Sequence, residues 1–265
     1  MGGRGGSSHR ASGGGFSHVR SFLERAYGLN HANAILAILG DAPDEIQEMW
    51  RDYASAFRAD PHADADDSDA FYSPMENRVH LGISYVASGD SISTPYSVLY
   101  HEYGHMTDYL IAKSHGFNYS AYSEMFSGVD ASGNAILGSS RSGGLLGRTA
   151  KQELEGHISR FQQQNPSFTR EQAARALIRE TSGKYSMKNR TDVSDIMEGS
   201  GIGIAFPLGS GHGLSYWNTR DNGKEIFAEI TSAEAAHPGS LRAIQEYFPE
   251  TYKVYQTMVK ARKKK

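Results

Sequence analysis

Apolar positions in this chain recur mostly at the spacing of helices. Val19, Phe22, Leu23 and Ala26 open a run that predicts a helix over 16–38, and a second is predicted over 43–58. Between 70 and 85 the pattern changes. AFY (70–72) and RVHLGISY (78–85) are β-rich runs split by SPMEN, which reads as a hairpin turn. Leu99, Tyr103, Met106 and Leu110 then form the apolar stripe of an amphipathic helix over 95–114, with Thr94 as N-cap and Pro95 in the first turn. Further helices are predicted at 149–164, 169–181 (capped near Thr169), 191–198, 222–236 and 239–262. The stretches 127–148 and 199–215 are rich in Gly and Ser and read as loops bordering a site. The expectation is a mostly helical α+β domain over 16–265, with a small antiparallel hairpin ahead of its central helix.

The ends read differently. Residues 1–15 hold seven glycines and no aliphatic anchor, the composition of a flexible leader. The basic end, 260–265, reads as a frayed, solubilising tail.

Composition narrows the chemistry. Apolar residues at 38% and charged residues at 22% allow a sizeable core, and a net charge of −3 gives no electrostatic case for nucleic acid. No apolar run approaches the roughly 18 residues of a membrane helix, no signal-peptide stretch is evident, and position 6 is Gly where N-myristoylation needs Ser or Thr. The expectation is a soluble chain of unspecified compartment. With no cysteine, thiolate metal sites and thiol nucleophiles are excluded, so any metal is bound through nitrogen and oxygen. The acidic run 60–69 lacks the central Gly and terminal Glu of a calcium loop. The glycines of 199–213 lack the ending of a phosphate loop.

His101-Glu102-Tyr103-Gly104-His105 matches H-E-x-x-H. Residues four apart stack on one helix face, so both imidazoles can reach one ion about 2 Å from each nitrogen. Glu102, about 100° round the helix, is placed to reach a water instead. The apolar stripe lies opposite His101, His105 and Asp108, so one face packs while the other meets a cleft. A catalytic zinc takes three protein ligands and leaves one position open. Glu225 and Glu229, four apart in KEIFAEI, offer a carboxylate, one to ligate and the other to hold a ligand histidine from behind. Asp108 is a second candidate for that supporting role, or itself a ligand. The remaining histidines read as ordinary surface or core residues.

HEYGHMTDYL (101–110) with NGKEIFAEI (222–230) resembles the gluzincin peptidases related to anthrax lethal factor, in which H-E-[FY]-G-H-x-x-D is paired with a later E-F-F-A-E. YSPMENRVHLG, DVSDIMEGSG, PLGSGHGLSYW and YFPETY are similar to metallopeptidase-like domains of phage head proteins and polymorphic toxins. The resemblance implies a zincin-like fold whose C-terminal helical part supplies the third ligand. By position it implies one zinc ion on His101, His105 and Glu225, Glu102 as general base and Glu229 in support. Where the lethal-factor pattern has a catalytic Tyr, this chain has Asn218; Tyr216 is the nearer candidate to steady an oxyanion, and His212 a weaker one.

The expected activity is metal-assisted hydrolysis of peptide bonds in a protein or peptide substrate, with the run Arg78–Tyr85 offering an edge strand to it. A domain that keeps zinc for folding and cleaves nothing is the competing expectation, and a virion-associated or effector setting is implied by the resemblance alone. Two imidazoles and a carboxylate also suit cobalt or manganese.

Overall fold

The computed structural model describes residues 16–59, 70–138, 144–208 and 222–263. These are mostly helical, with two small antiparallel sheets. Helix α1 (Ser17–Asp41) is kinked at Gly28, and α2 (Asp44–Tyr53) turns Ile46, Met49 and Trp50 inward. A 3-10 turn, Ala54–Ala56, follows.

Strands β1 (Ala70–Ser73) and β2 (Arg78–Leu81) form the expected hairpin, with Phe71 opposite His80 and Tyr72 opposite Val79. The predicted strand to residue 85 stops at Leu81. Leu81 pairs with Ala70, the first described residue of β1. The chain turns at Gly82 into α3 (Ile83–Ser88), which buries Val86.

Helix α4 (Ser97–Ser114) begins two residues later than predicted and is not capped by Thr94. Tyr96 occupies the N-cap position in a left-handed conformation (φ 64°). The Thr94 hydroxyl donates instead to the Ala236 carbonyl at 3.0 Å, tying the start of α4 to the C-terminal half.

The stretch from 127 is not the loop its glycines suggested. After α5 (Tyr122–Met125), strands β3 (Phe126–Val129) and β4 (Ala135–Leu137) pair into a second hairpin packed on later helices. Asp130 closes its turn, its Oδ1 accepting from the amides of Ser132 (2.8 Å) and Asn134 (2.9 Å).

Helices α6 (Leu145–Gln164), α7 (Arg170–Lys184) and α8 (Met187–Gly199) follow, and α7 carries the expected cap as a full capping box between Thr169 and Gln172. Of the second glycine-rich stretch, residues 200–208 are irregular and tethered to α8: Glu198 Oε1 accepts the Phe206 amide at 3.0 Å. Helix α9 (Asn222–Ala236) is next. The single helix predicted over 239–262 is two, α10 (Pro238–Tyr247) and α11 (Pro249–Lys260). Proline at 249 has no N–H to continue α10, and Phe248 leaves helical geometry just before it.

The core is built around α4. Its stripe Leu99, Tyr103, Met106 and Leu110 is buried as expected, and so are Tyr100, Thr107 and Ile111. Behind it Phe22, Trp50 and Phe57 pack against Tyr103, whose hydroxyl meets that of Tyr27 at 2.7 Å. On the histidine side α9 lies along it, so a helix read as amphipathic is covered on both faces.

The basic end is not frayed where it is described. Arg262 is 3% exposed, donates to the Val259 carbonyl and pairs with Asp52 at 2.7 Å and Glu48 at 3.2 Å. No helix among the described residues is long and apolar enough to cross a membrane.

Candidate metal centre

The site begins with a close approach of two helices. A Cβ placed on Gly104 would stand 3.0 Å from the Ala228 Cα, so glycine in HEYGH and alanine in EIFAE let α4 and α9 run nearly backbone to backbone. At that separation short side chains span the gap. His101 and His105 on α4 meet Glu225 and Glu229 on α9.

Three ligand atoms converge. His101 Nε2 and His105 Nε2 are 3.1 Å apart, Glu225 Oε2 lies 3.2 Å from His105 Nε2, and it lies 3.6 Å from His101 Nε2. In a tetrahedral site with arms of about 2 Å, neighbouring ligand atoms stand about 3.3 Å apart. The triangle therefore fits one ion of that size, and its donor set of two imidazoles and one carboxylate suits a divalent metal. Among the described residues this is the one group of three or more His, Asp or Glu side chains arranged to hold an ion. His101 Nδ1, turned away from the triangle, sits 3.3 Å from Glu229 Oε1. That contact fixes which ring nitrogen would face an ion held at the triangle.

The electrostatics of the group reflect its burial and the pairing of its imidazoles with its carboxylates. Burial pushes the Glu225 carboxyl up, but the charge of His105 and hydrogen bonds from both imidazoles outweigh it and hold the group well below the usual carboxylate range. Burial likewise pushes His101 down, and Glu229 and Glu225 together reverse this, leaving it well above an ordinary histidine. Glu229 itself is pushed up to about 8, by burial and by Asp192 and Asp195 on α8, against the opposing pull of His101. A cation bound at the triangle offsets this crowding of buried negative charge.

Asp108 does not fill the role expected of it. Its Oδ1 accepts the Ser123 amide at 2.8 Å and its Oδ2 the Ser123 hydroxyl at 2.5 Å, so it grips α5 rather than an imidazole. The next residue carries the clasp onward: Glu124 Oε1 accepts the amides of Gly223 (2.7 Å) and Lys224 (3.2 Å) at the first turn of α9. These donors have no partner within a helix, and a carboxylate there also meets the positive end of the helix dipole. Glu225 follows immediately, so the clasp sets where this candidate ligand emerges. Glu124→Ala is expected to cost about 1–2 kcal/mol of stability and to weaken metal affinity about 10- to 100-fold in chelator competition. Unchanged affinity would show that the clasp does not position Glu225.

The buried carboxyl of Asp108 also predicts a pH effect. Burial, aided by Glu124 and opposed by the Ser123 hydrogen bonds, pushes it up to about 8. The folded chain thus holds a proton that the unfolded chain releases near pH 4. The associated stability is complete below about pH 4 and is lost as pH rises through 8. Relative to Asp108→Asn, the wild-type melting temperature should fall roughly 3–5 °C per pH unit between pH 5 and 8. Parallel curves for the two proteins would contradict this.

A cleft opens over the triangle in two lobes that share Ala70, Phe71, His101 and Glu102. One lobe, of about 470 Å³, runs toward α8 and is lined by Asp192, Asp195 and Glu229. The other, of about 140 Å³, holds His105, Glu225, Lys224, Tyr72 and Tyr109. Glu102 is 7% exposed and belongs to both lobes, beside the ligand atoms without being one. The strand along the cleft is β1 rather than the predicted Arg78–Tyr85 run. Strand β2 is flanked by β1 and by an Ala59–Val79 bridge, whereas β1 pairs with β2 alone among the described residues. Tyr216 and His212 lie outside the described residues. Ser123, Glu124, Asp192, Asp195 and Lys224 were not singled out from the sequence; DVSDIMEG placed two aspartates three apart on a helix, a signal that could have drawn attention to α8.

Comparison with known proteins finds no matching family model, no matching curated protein and no matching solved structure.

Proposed function

We propose that this chain is a zinc-dependent endopeptidase of the HExxH type with a zincin-like catalytic core. The reading rests on one observation above all: His101, His105 and Glu225 present three atoms at tetrahedral spacing, with Glu102 beside them at the junction of an open cleft. A site that held metal only for folding would need neither that carboxylate nor the cleft.

When bound, a zinc ion supplies a Lewis acid that polarises the scissile carbonyl and lowers the pKa of water toward about 7. The chain's own residues do the rest. Glu102 takes a proton from the attacking water on its carboxylate and delivers it to the amide nitrogen as the C–N bond breaks. Glu229 holds His101 in one tautomer through Nδ1. Strand β1, which pairs with β2 alone among the described residues, offers backbone groups to an extended peptide laid along the cleft.

A mixed peptide library incubated with the zinc-loaded protein tests this reading, with products read by mass spectrometry. Cleavage that a chelator stops and added zinc restores is the expected result. An uncut library with zinc stoichiometrically bound would instead favour a catalytically silent zinc-binding domain.

A further inference from the structure

The larger lobe of the cleft has an acidic end that the hydrolytic machinery does not use. Asp192 and Asp195 stand three apart on α8, are 9% and 5% exposed, and line this lobe. Both act electrostatically on Glu229, so three carboxylates crowd one wall. Asp192 Oδ2 is buried and accepts no hydrogen bond among the described residues, with His237 Nδ1 at 3.5 Å. A buried carboxylate oxygen in that condition carries a desolvation cost that a cationic donor entering the lobe would relieve. The three carboxylates do not converge as metal ligands, since the described residues hold no second ion-binding group beside the histidine triangle. The rest of the lobe mixes the hydroxyls of Ser93, Ser97, Thr191 and Ser232 with apolar side chains. Ile92 and Val98 line it, and Phe71 and Tyr85, 49% and 44% exposed, contribute aromatic rings.

Aromatic and aliphatic side chains in one lobe with two buried aspartates match one kind of group: a cation on an aliphatic stem. The geometry points to a specificity pocket in which Asp192 and Asp195 receive the lysine or arginine side chain of a peptide substrate, its stem lying against Phe71, Tyr85, Ile92 and Val98. This rests on the peptidase reading and adds to it which residue type the cleft selects. The pocket adjoins His101 and Glu102, so the selected residue sits next to the scissile bond. Asp192 and Asp195 are specificity residues and touch no reacting atom.

The test uses one peptide series that differs at a single position, with lysine, arginine, norleucine or glutamate, each with a free and an acetylated N-terminus. Binding of fluorescent versions to zinc-loaded Glu102→Gln protein is read alongside cleavage by the wild type. The expected result is at least 10-fold tighter binding and higher kcat/KM for lysine and arginine over norleucine, whether or not the N-terminus is acetylated. In Asp192→Asn/Asp195→Asn protein that ratio should fall to within about 2-fold; being a ratio within one protein, it is insensitive to general loss of folded material. Equal binding of lysine and norleucine peptides by the parent protein would overturn the inference. So would a preference that vanishes on acetylation, which would assign the acidic end to a substrate α-amine. Selective binding without cleavage of any peptide would instead count against the hydrolytic reading while leaving the pocket in place.

Discussion

Glu102→Gln is expected to lose turnover about 10²- to 10⁴-fold while binding zinc as tightly as the wild type. The separation follows from where Glu102 sits. Its carboxylate lines both lobes of the cleft yet is not part of the three-atom triangle formed by His101, His105 and Glu225. Glutamine is nearly isosteric and keeps the hydrogen-bonding shape of the side chain, but its amide cannot take a proton from water near neutral pH. Steady-state kinetics on any cleaved peptide, paired with metal content after dialysis, reads both halves of the expectation. A variant that retains more than about a tenth of the activity would remove Glu102 from the chemistry. One that loses zinc along with activity would mean the residue ligates or shapes the site instead.

Gly104→Val should have the next largest effect, and it acts on the metal without touching a ligand. The first side-chain atom at 104 would meet the Ala228 backbone at 3.0 Å, and the branched methyls of valine need still more room. Overpacking of this kind costs about 1–3 kcal/mol, and α4 can relieve it only by moving away from α9. Any such movement lengthens the 3.2 and 3.6 Å separations that join Glu225 to the two imidazoles. Metal affinity should fall by more than about 10-fold. Thermal melts with and without zinc separate the two effects, because the stabilisation by zinc shrinks only if the site itself is damaged. A melting temperature and zinc-dependent shift equal to the wild type would contradict the account of how the helices are held together.

The residues of the triangle were legible in the sequence because their geometry is local. His101 and His105 share a helix face by spacing alone, and so do Glu225 and Glu229. What joins the two pairs is not local. Glycine at 104 reads as a helix-weakening residue until Ala228 is seen against it. Glu124 caps α9 across 99 residues of chain, and nothing near position 124 signals a helix start at 222. Asp108 shares the face of the histidines, but it lies three residues beyond His105, where α5 rather than the cleft is adjacent.

The Gly and Ser content of 127–148 masked the hairpin of β3 and β4, whose turn is closed by Asp130. Continuous apolar periodicity hid the break between α10 and α11, although Pro249 marked it. Arg262 looked like part of a solvated tail because its partners Glu48 and Asp52 lie more than two hundred residues away.

The central claim is that one divalent ion is held by two helices through three named side chains. Anomalous diffraction at the zinc edge, from crystals grown with zinc, tests it most directly. The expected result is a single strong peak about 2.0–2.2 Å from His101 Nε2, His105 Nε2 and a Glu225 oxygen, with a fourth position open to the cleft. The absence of a peak there, or a zinc ion held by other side chains, would contradict it.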